Sequence, residues 1–128
     1  MIKKLFLVLF LVCLPAFSYG NTISQCVRQL KGGHVKHAIE LGKLAVVLHS
    51  DNPLSYMCLG FAYEKDKHYN FAKVELQQAQ ILVKSQKLKN IIDNMLFRID
   101  NHNLNTIVQK KTLKNSNDNQ TVSNFQNS

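Results

Sequence analysis

The sequence predicts an all-α protein built from two helical hairpins, a capping helix and a polar tail, and three observations predict it. Between Thr22 and Ile99, apolar residues recur at spacings of three and four and are interrupted by short polar breaks, the mark of amphipathic helices. Sliding the chain along itself until His34 meets His68 also pairs Val35 with Tyr69, Ala38 with Ala72, Ala45 with Ala79, Leu48 with Leu82 and Cys26 with Gly60. Those matches fall on helix-spaced small and apolar positions, so two units of one hairpin each are expected. After Asp100 the composition turns to Asn, Gln, Ser, Thr and Lys, which buries too little apolar surface to offset chain entropy.

The first segment is expected to stand apart from the fold. Leu5 to Leu14 is an uncharged apolar run that follows Lys3 and Lys4 and precedes Pro15-Ala16-Phe17-Ser18-Tyr19-Gly20. It reads as a cleaved secretory signal of bacterial type spanning residues 1–20. The run is about half the roughly 20 apolar residues a membrane-spanning helix needs, so no transmembrane anchor is expected after cleavage. Leu11-Val12 places bulky side chains where lipid attachment at Cys13 would want small ones. The product is expected in the periplasm or outside the cell. Of the 128 residues, 108 then remain, with 14 basic and 8 acidic side chains and a net charge of +6. That length allows one small domain, residues 21–100, and a disordered polar tail, residues 101–128.

Thr22 to Leu30 carries Ile23, Cys26, Val27 and Leu30 on one face, and Lys31-Gly32-Gly33 ends it. Val35 to Leu48 is apolar around much of its circumference, as expected of a helix with partners on two sides. Asp51-Asn52-Pro53 supplies a capping side chain and then a proline in the first helical turn, where its missing N–H costs nothing. The third helix therefore covers Leu54 to Glu64, with Gly60 inside it. A glycine there costs about 1 kcal/mol against alanine, which points to close packing. Lys65 to His68 is a polar turn, and a fourth helix runs from Tyr69 to about Lys84. A fifth, from about Gln86 to Ile99, shows Leu88, Ile91, Ile92, Met95, Leu96 and Ile99 as a single stripe, fit for packing on one neighbour. Leu104, Ile107, Val108 and Lys111 allow an extension of that helix or a short amphipathic segment beyond it.

The pattern Tyr56-x-x-Leu59-Gly60-x-x-Tyr63 followed by Ala72-x-x-x-Leu76-x-x-Ala79 resembles the tetratricopeptide repeat, a 34-residue helix-turn-helix unit. In the preceding unit Ala38 and Ala45 match the second helix, whereas Gln25-Cys26-x-x-Gln29 stands in place of the first-helix core. The resemblance implies small residues at Gly60, Ala72 and Ala79 where helices cross closely. It also implies a curved stack whose first helices line a concave groove for a partner. Mapped onto this chain, the groove residues are Ile23, Val27 and Leu30, then Leu54, Met57 and Phe61. Relatives that clamp a peptide's terminal carboxylate carry Lys, Arg and Asn at comparable positions, side chains largely absent here, so the groove is apolar and suits a hydrophobic helix or extended segment of another protein, with Met57 and Phe61 as adaptable anchors. The alternative occupants are the chain's own fifth helix, its segment Leu104 to Val108, or a second copy in a homodimer.

Cys26 and Cys58 fall on the first and third helices, which lie side by side in such a stack. They admit two readings. A disulfide would close a loop of about 33 residues and contribute roughly 3 to 4 kcal/mol; otherwise each is a small buried apolar residue. Against the bond, neighbouring helix axes lie about 8 to 10 Å apart, beyond the usual Cα separation of a disulfide.

No catalytic constellation is found. There is no phosphate-binding glycine loop, no GxSxG, no HExxH and no CxxC, and Glu40, Glu64, Asp66, Glu75 and Asp93 are spread over different helices. His34 and His37 lack a third ligand at metal spacing, and the match of His34 to His68 marks turn positions instead. Neither metal nor cofactor is expected. The chain reads as a non-enzymatic interaction module. The competing class is a basic protein that binds an anionic surface, envelope lipid or cell-wall polymer, through its lysines and tail. Nucleic acid is disfavoured by export and by the lack of arginine–aromatic interleaving.

Overall fold

The computed structural model describes residues 21–125, with side chains through Ser116. The signal segment 1–20 lies outside the described residues. Five helices follow one another: α1 (Thr22–Lys31), α2 (Val35–Leu48), α3 (Pro53–Lys65), α4 (Tyr69–Leu82) and α5 (Gln86–Phe125). The described residues contain no strand. Each helix packs on the next, and α1 also packs on α3.

The helix starts obey local chemistry. Asn21 caps α1, its side-chain oxygen accepting from the Ile23 N–H at 3.1 Å. Asn52 caps α3 in the same way, accepting from Leu54 N–H at 3.0 Å with Pro53 in the first turn. Ser55 is fully buried and donates to the His49 carbonyl at 3.1 Å, tying the start of α3 to the end of α2.

The turns after α1 and α3 share one backbone pattern, displaced along the chain by the same interval that carries His34 onto His68. The N–H of Gly33 donates to Leu30 O at 3.1 Å and that of His34 to Gln29 O at 2.9 Å; the N–H of Lys67 donates to Glu64 O at 3.0 Å and that of His68 to Tyr63 O at 2.9 Å. These are the paired bonds of a Schellman helix ending, which needs a left-handed residue just past the helix. Gly33 supplies it at φ 79° and Lys67 at φ 64°. His34 and His68 then begin the next helix with nearly equal dihedrals and no side-chain capping bond.

Two core clusters result. The first joins Cys26, Ala38, Ile39, Cys58, Leu59 and Ala62. The second joins Ala72, Leu76, Ala79, Ile92, Met95 and Ile99, with the half-buried Tyr56 and Tyr63 packed against it. Ala45 is also fully buried. Gly60 has the role expected of it, since a Cβ there would stand 2.9 Å from Leu76 Cγ and 3.2 Å from the Ala72 carbonyl.

One expectation is corrected and one open alternative is decided. The capping helix does not stop at Ile99, and residues 101–125 do not form an irregular tail: α5 continues to Phe125. Its packed part is held to α4 by Lys73–Asp100 at 2.7 Å and by Tyr69 stacked on His102 at 4.1 Å. Beyond Asn103 every described side chain is exposed. No proline or glycine interrupts Gln86–Phe125, and lengthening an existing helix adds a hydrogen bond per residue without a new nucleation cost. Of the two readings open for the cysteines, the structure takes the disulfide. Cys26 and Cys58 form a disulfide with a Cα–Cα distance of 6.4 Å. Each Cα stands about 2.3 Å off its helix axis, so facing residues approach several ångströms closer than the axes do, and the axis distance was the wrong quantity to compare.

Candidate functional site

Three helices, α1, α3 and α5, line one open groove of ≈ 550 Å³. The structure brings all six residues mapped from the sequence, Ile23, Val27, Leu30, Leu54, Met57 and Phe61, to its wall. They do not contribute equally. Ile23 is buried and forms floor, as does Cys58, whereas Val27 and Leu54 are exposed and Leu30, Met57 and Phe61 are half-buried. Helical geometry accounts for the lining: Leu54, Met57 and Phe61 at i, i+3 and i+7 share one face of α3, and Ile23, Val27 and Leu30 share one face of α1.

The groove has parts that the repeat register did not assign. Ile91 and Met95 of α5 form its third wall, so α5 stands beside α3 and does not lie across the groove. The segment Leu104 to Val108 is likewise not in it, being exposed on the projecting part of α5. The sequence signal for the third wall was present, since Ile91 lies one repeat length after Met57 and Met95 one repeat length after Phe61. Reading α5 as a cap hid it.

Lys31 and Lys65 are the charged side chains of the lining. Each is the last residue of its helix, α1 and α3 respectively, where a cation suits the partial negative charge of the helix end. Lys65 Nζ lies 5.3 Å from the centroid of the Phe61 ring, a cation–π approach. Close by, Arg98 of α5 grips both Glu64 oxygens at 3.1 and 3.0 Å. On the far side of the stack, Lys36 of α2 pairs with Asp66 at 2.7 Å and His68 lies 3.1 Å from the same carboxylate. The Lys36 hydrogen bond holds the Asp66 carboxyl below its usual range. Burial pushes the Glu75 carboxyl above its usual range.

Among the described residues, no three His, Cys, Asp or Glu side chains come together as a metal site. No helix among them is long and apolar enough to cross a membrane. Comparison with protein-family models, curated proteins and solved structures gives no match.

Proposed function

We propose that this chain is an exported, non-enzymatic adaptor of tetratricopeptide-like architecture that binds a hydrophobic helix or segment of another envelope or secreted protein. The observation behind this reading is the groove, a continuous apolar wall contributed by three helices and left open by every described part of the chain. Exposed apolar concavities of this size mark interaction sites more often than bare surface. The repeat architecture draws support from the two Schellman turns at matching positions. Val47 and Ile81, which occupy equivalent positions in the two units, are also both 76% exposed.

Site-specific photo-cross-linking tests the reading. A photoreactive side chain at Met57, in cells that produce the protein, is expected to trap another envelope or secreted protein. The same group at Val47 on α2, outside the groove, is expected to trap none. Phe61→Asp should abolish the Met57 adduct without unfolding the protein. Adducts with the chain itself, or none, would remove the adaptor reading.

The projecting part of α5 favours a second reading, attachment to an anionic surface. It carries Lys110, Lys111 and Lys114 beside exposed Leu104, Ile107 and Val108, a cluster of cations on an exposed length of helix with no acidic residue among them. The two differ in salt response: capture through the groove persists at high ionic strength, whereas attachment through lysines is lost across moderate salt.

A further inference from the structure

We propose that the Cys26–Cys58 bond is a redox latch on the groove: a thiol arriving through the groove attacks the Cys58 sulfur, and reduction frees the α1 wall from α3. The consequence for a partner rests on the groove being a protein-binding site. Three observations lead to the latch. The two cysteines differ in access, since Cys26 is wholly buried whereas Cys58 is 5% exposed and lines the groove. Four of the lining residues, Ile23, Val27, Leu30 and Lys31, belong to α1. That helix packs broadly on α2 and over fewer residues on α3, so the disulfide is its covalent tie to the opposite wall.

The exchange balances with a dithiol as reductant. Its thiolate bonds to Cys58 Sγ, the Sγ–Sγ bond breaks, and the electron pair leaves on Cys26 Sγ, which takes up a proton. The second thiol of the reductant then displaces Cys58, so the reductant becomes a disulfide and the protein gains two electrons and two protons. Cys26 Sγ stands 3.4 Å from the Ala38 carbonyl oxygen, which can accept the new S–H. Two thiols take more room than a bonded pair, because unbonded sulfurs keep van der Waals distance. Both cysteines lie in one cluster with Ala38, Ile39, Leu59 and Ala62. A close-packed interior has no such room to spare, so it comes from α1 moving off α3. The coupling is reciprocal: an occupant seated over Cys58 shields the bond, and a broken bond weakens the seat.

Exposure of the protein to excess glutathione, quenched with N-ethylmaleimide, tests the route. Mass spectrometry should find glutathione on Cys58 and maleimide on Cys26. No adduct, or glutathione on Cys26 as much as on Cys58, would overturn it. Methyl NMR before and after dithiothreitol tests the release. Signals of Ile23, Val27 and Leu30 should shift or broaden and return on reoxidation, while those of Ile92 and Ile99 stay in place. The Cys26→Ala/Cys58→Ala variant should keep the reduced pattern whether or not reductant is present. Unchanged signals on full reduction, or equal change throughout the chain, would overturn the latch. A photoreactive side chain at Met57 should trap a partner several-fold less in the double variant. Equal trapping would overturn the latch and leave the groove reading standing. No partner in either form would remove the groove reading alone, because the adduct and methyl results still decide the latch.

Discussion

The two ends of the stack are stabilised by different means. At the α1 end the core is made largely of small side chains, Cys26, Ala38, Cys58 and Ala62, with Ile39 and Leu59 as its bulk, and a disulfide fastens α1 to α3. At the α5 end there is no cross-link, and Leu76, Ile92, Met95 and Ile99 fill the core. The contrast follows from geometry. α1 has ten residues and one buried stripe, with only Ile23 and Cys26 buried, so it offers little apolar area to hold it. The packed half of α5 offers three large buried side chains. A covalent bond thus stands where hydrophobic burial is least, and it does so at the groove, because Cys58 is part of the groove wall.

Removing the disulfide should have the largest effect and a local one. Cys26→Ser with Cys58→Ser is expected to cost roughly 3 to 4 kcal/mol. Hydrogen exchange should quicken first in α1, which packs on α2 and, over fewer residues, on α3. Uniform loss of protection along α2 to α5 would show that the two ends are one cooperative unit. Ile92→Ala at the opposite end should cost about 2 to 5 kcal/mol by leaving a cavity. Here the loss should be global and visible in the denaturant midpoint, with α1 no more affected than α4.

The paired turns sharpen the comparison at a smaller scale. Lys67 holds a left-handed backbone that costs a side-chain-bearing residue about 1 to 2 kcal/mol. Lys67→Gly should therefore raise stability by about 0.5 to 1 kcal/mol after the glycine's extra unfolded-state freedom is subtracted. Gly33→Lys should lower it by about 1 kcal/mol, measured by equilibrium denaturation. Equal responses would mean that the two turns are not under the same constraint.

The smallest effect concerns the ion pair that ties the start of α2 to the turn after α3. Because the folded-state pKa of Asp66 is depressed, its contribution is present above the unfolded value of about 3.9 and disappears as the pH falls through the folded value. The stability difference between the protein and Asp66→Asn should be constant near neutrality and vanish in acid. A difference that persists in acid would assign the loss to the turn backbone instead of the charge.

Much of the local structure is legible in the residues. Asn52-Pro53 marks the start of α3 because a capping oxygen and a missing N–H act within one turn of chain. Gly60 and the alanines at 38, 45, 72 and 79 reveal close helix crossings, because only small side chains fit there. The six groove residues follow from what the repeat resemblance implies when mapped onto this chain, and the structure brings them to one wall. Other features are not local. Lys67 in a left-handed conformation has no composition signal, and only its place one repeat length after Gly33 hints at it. The burial of Ser55 depends on where the end of α2 lies.

By itself the sequence determined the helical class, the starts and ends of α1 to α4 to within a residue or two, and which face of each helix is apolar, since these depend on spacings shorter than a turn or two. Tertiary structure decided whether Cys26 reaches Cys58, whether Ser55 meets the end of α2, and which acid each of Lys36, Lys73 and Arg98 reaches. Those are distances between separate helices, set by how the faces pack, and no pattern within a single helix encodes them.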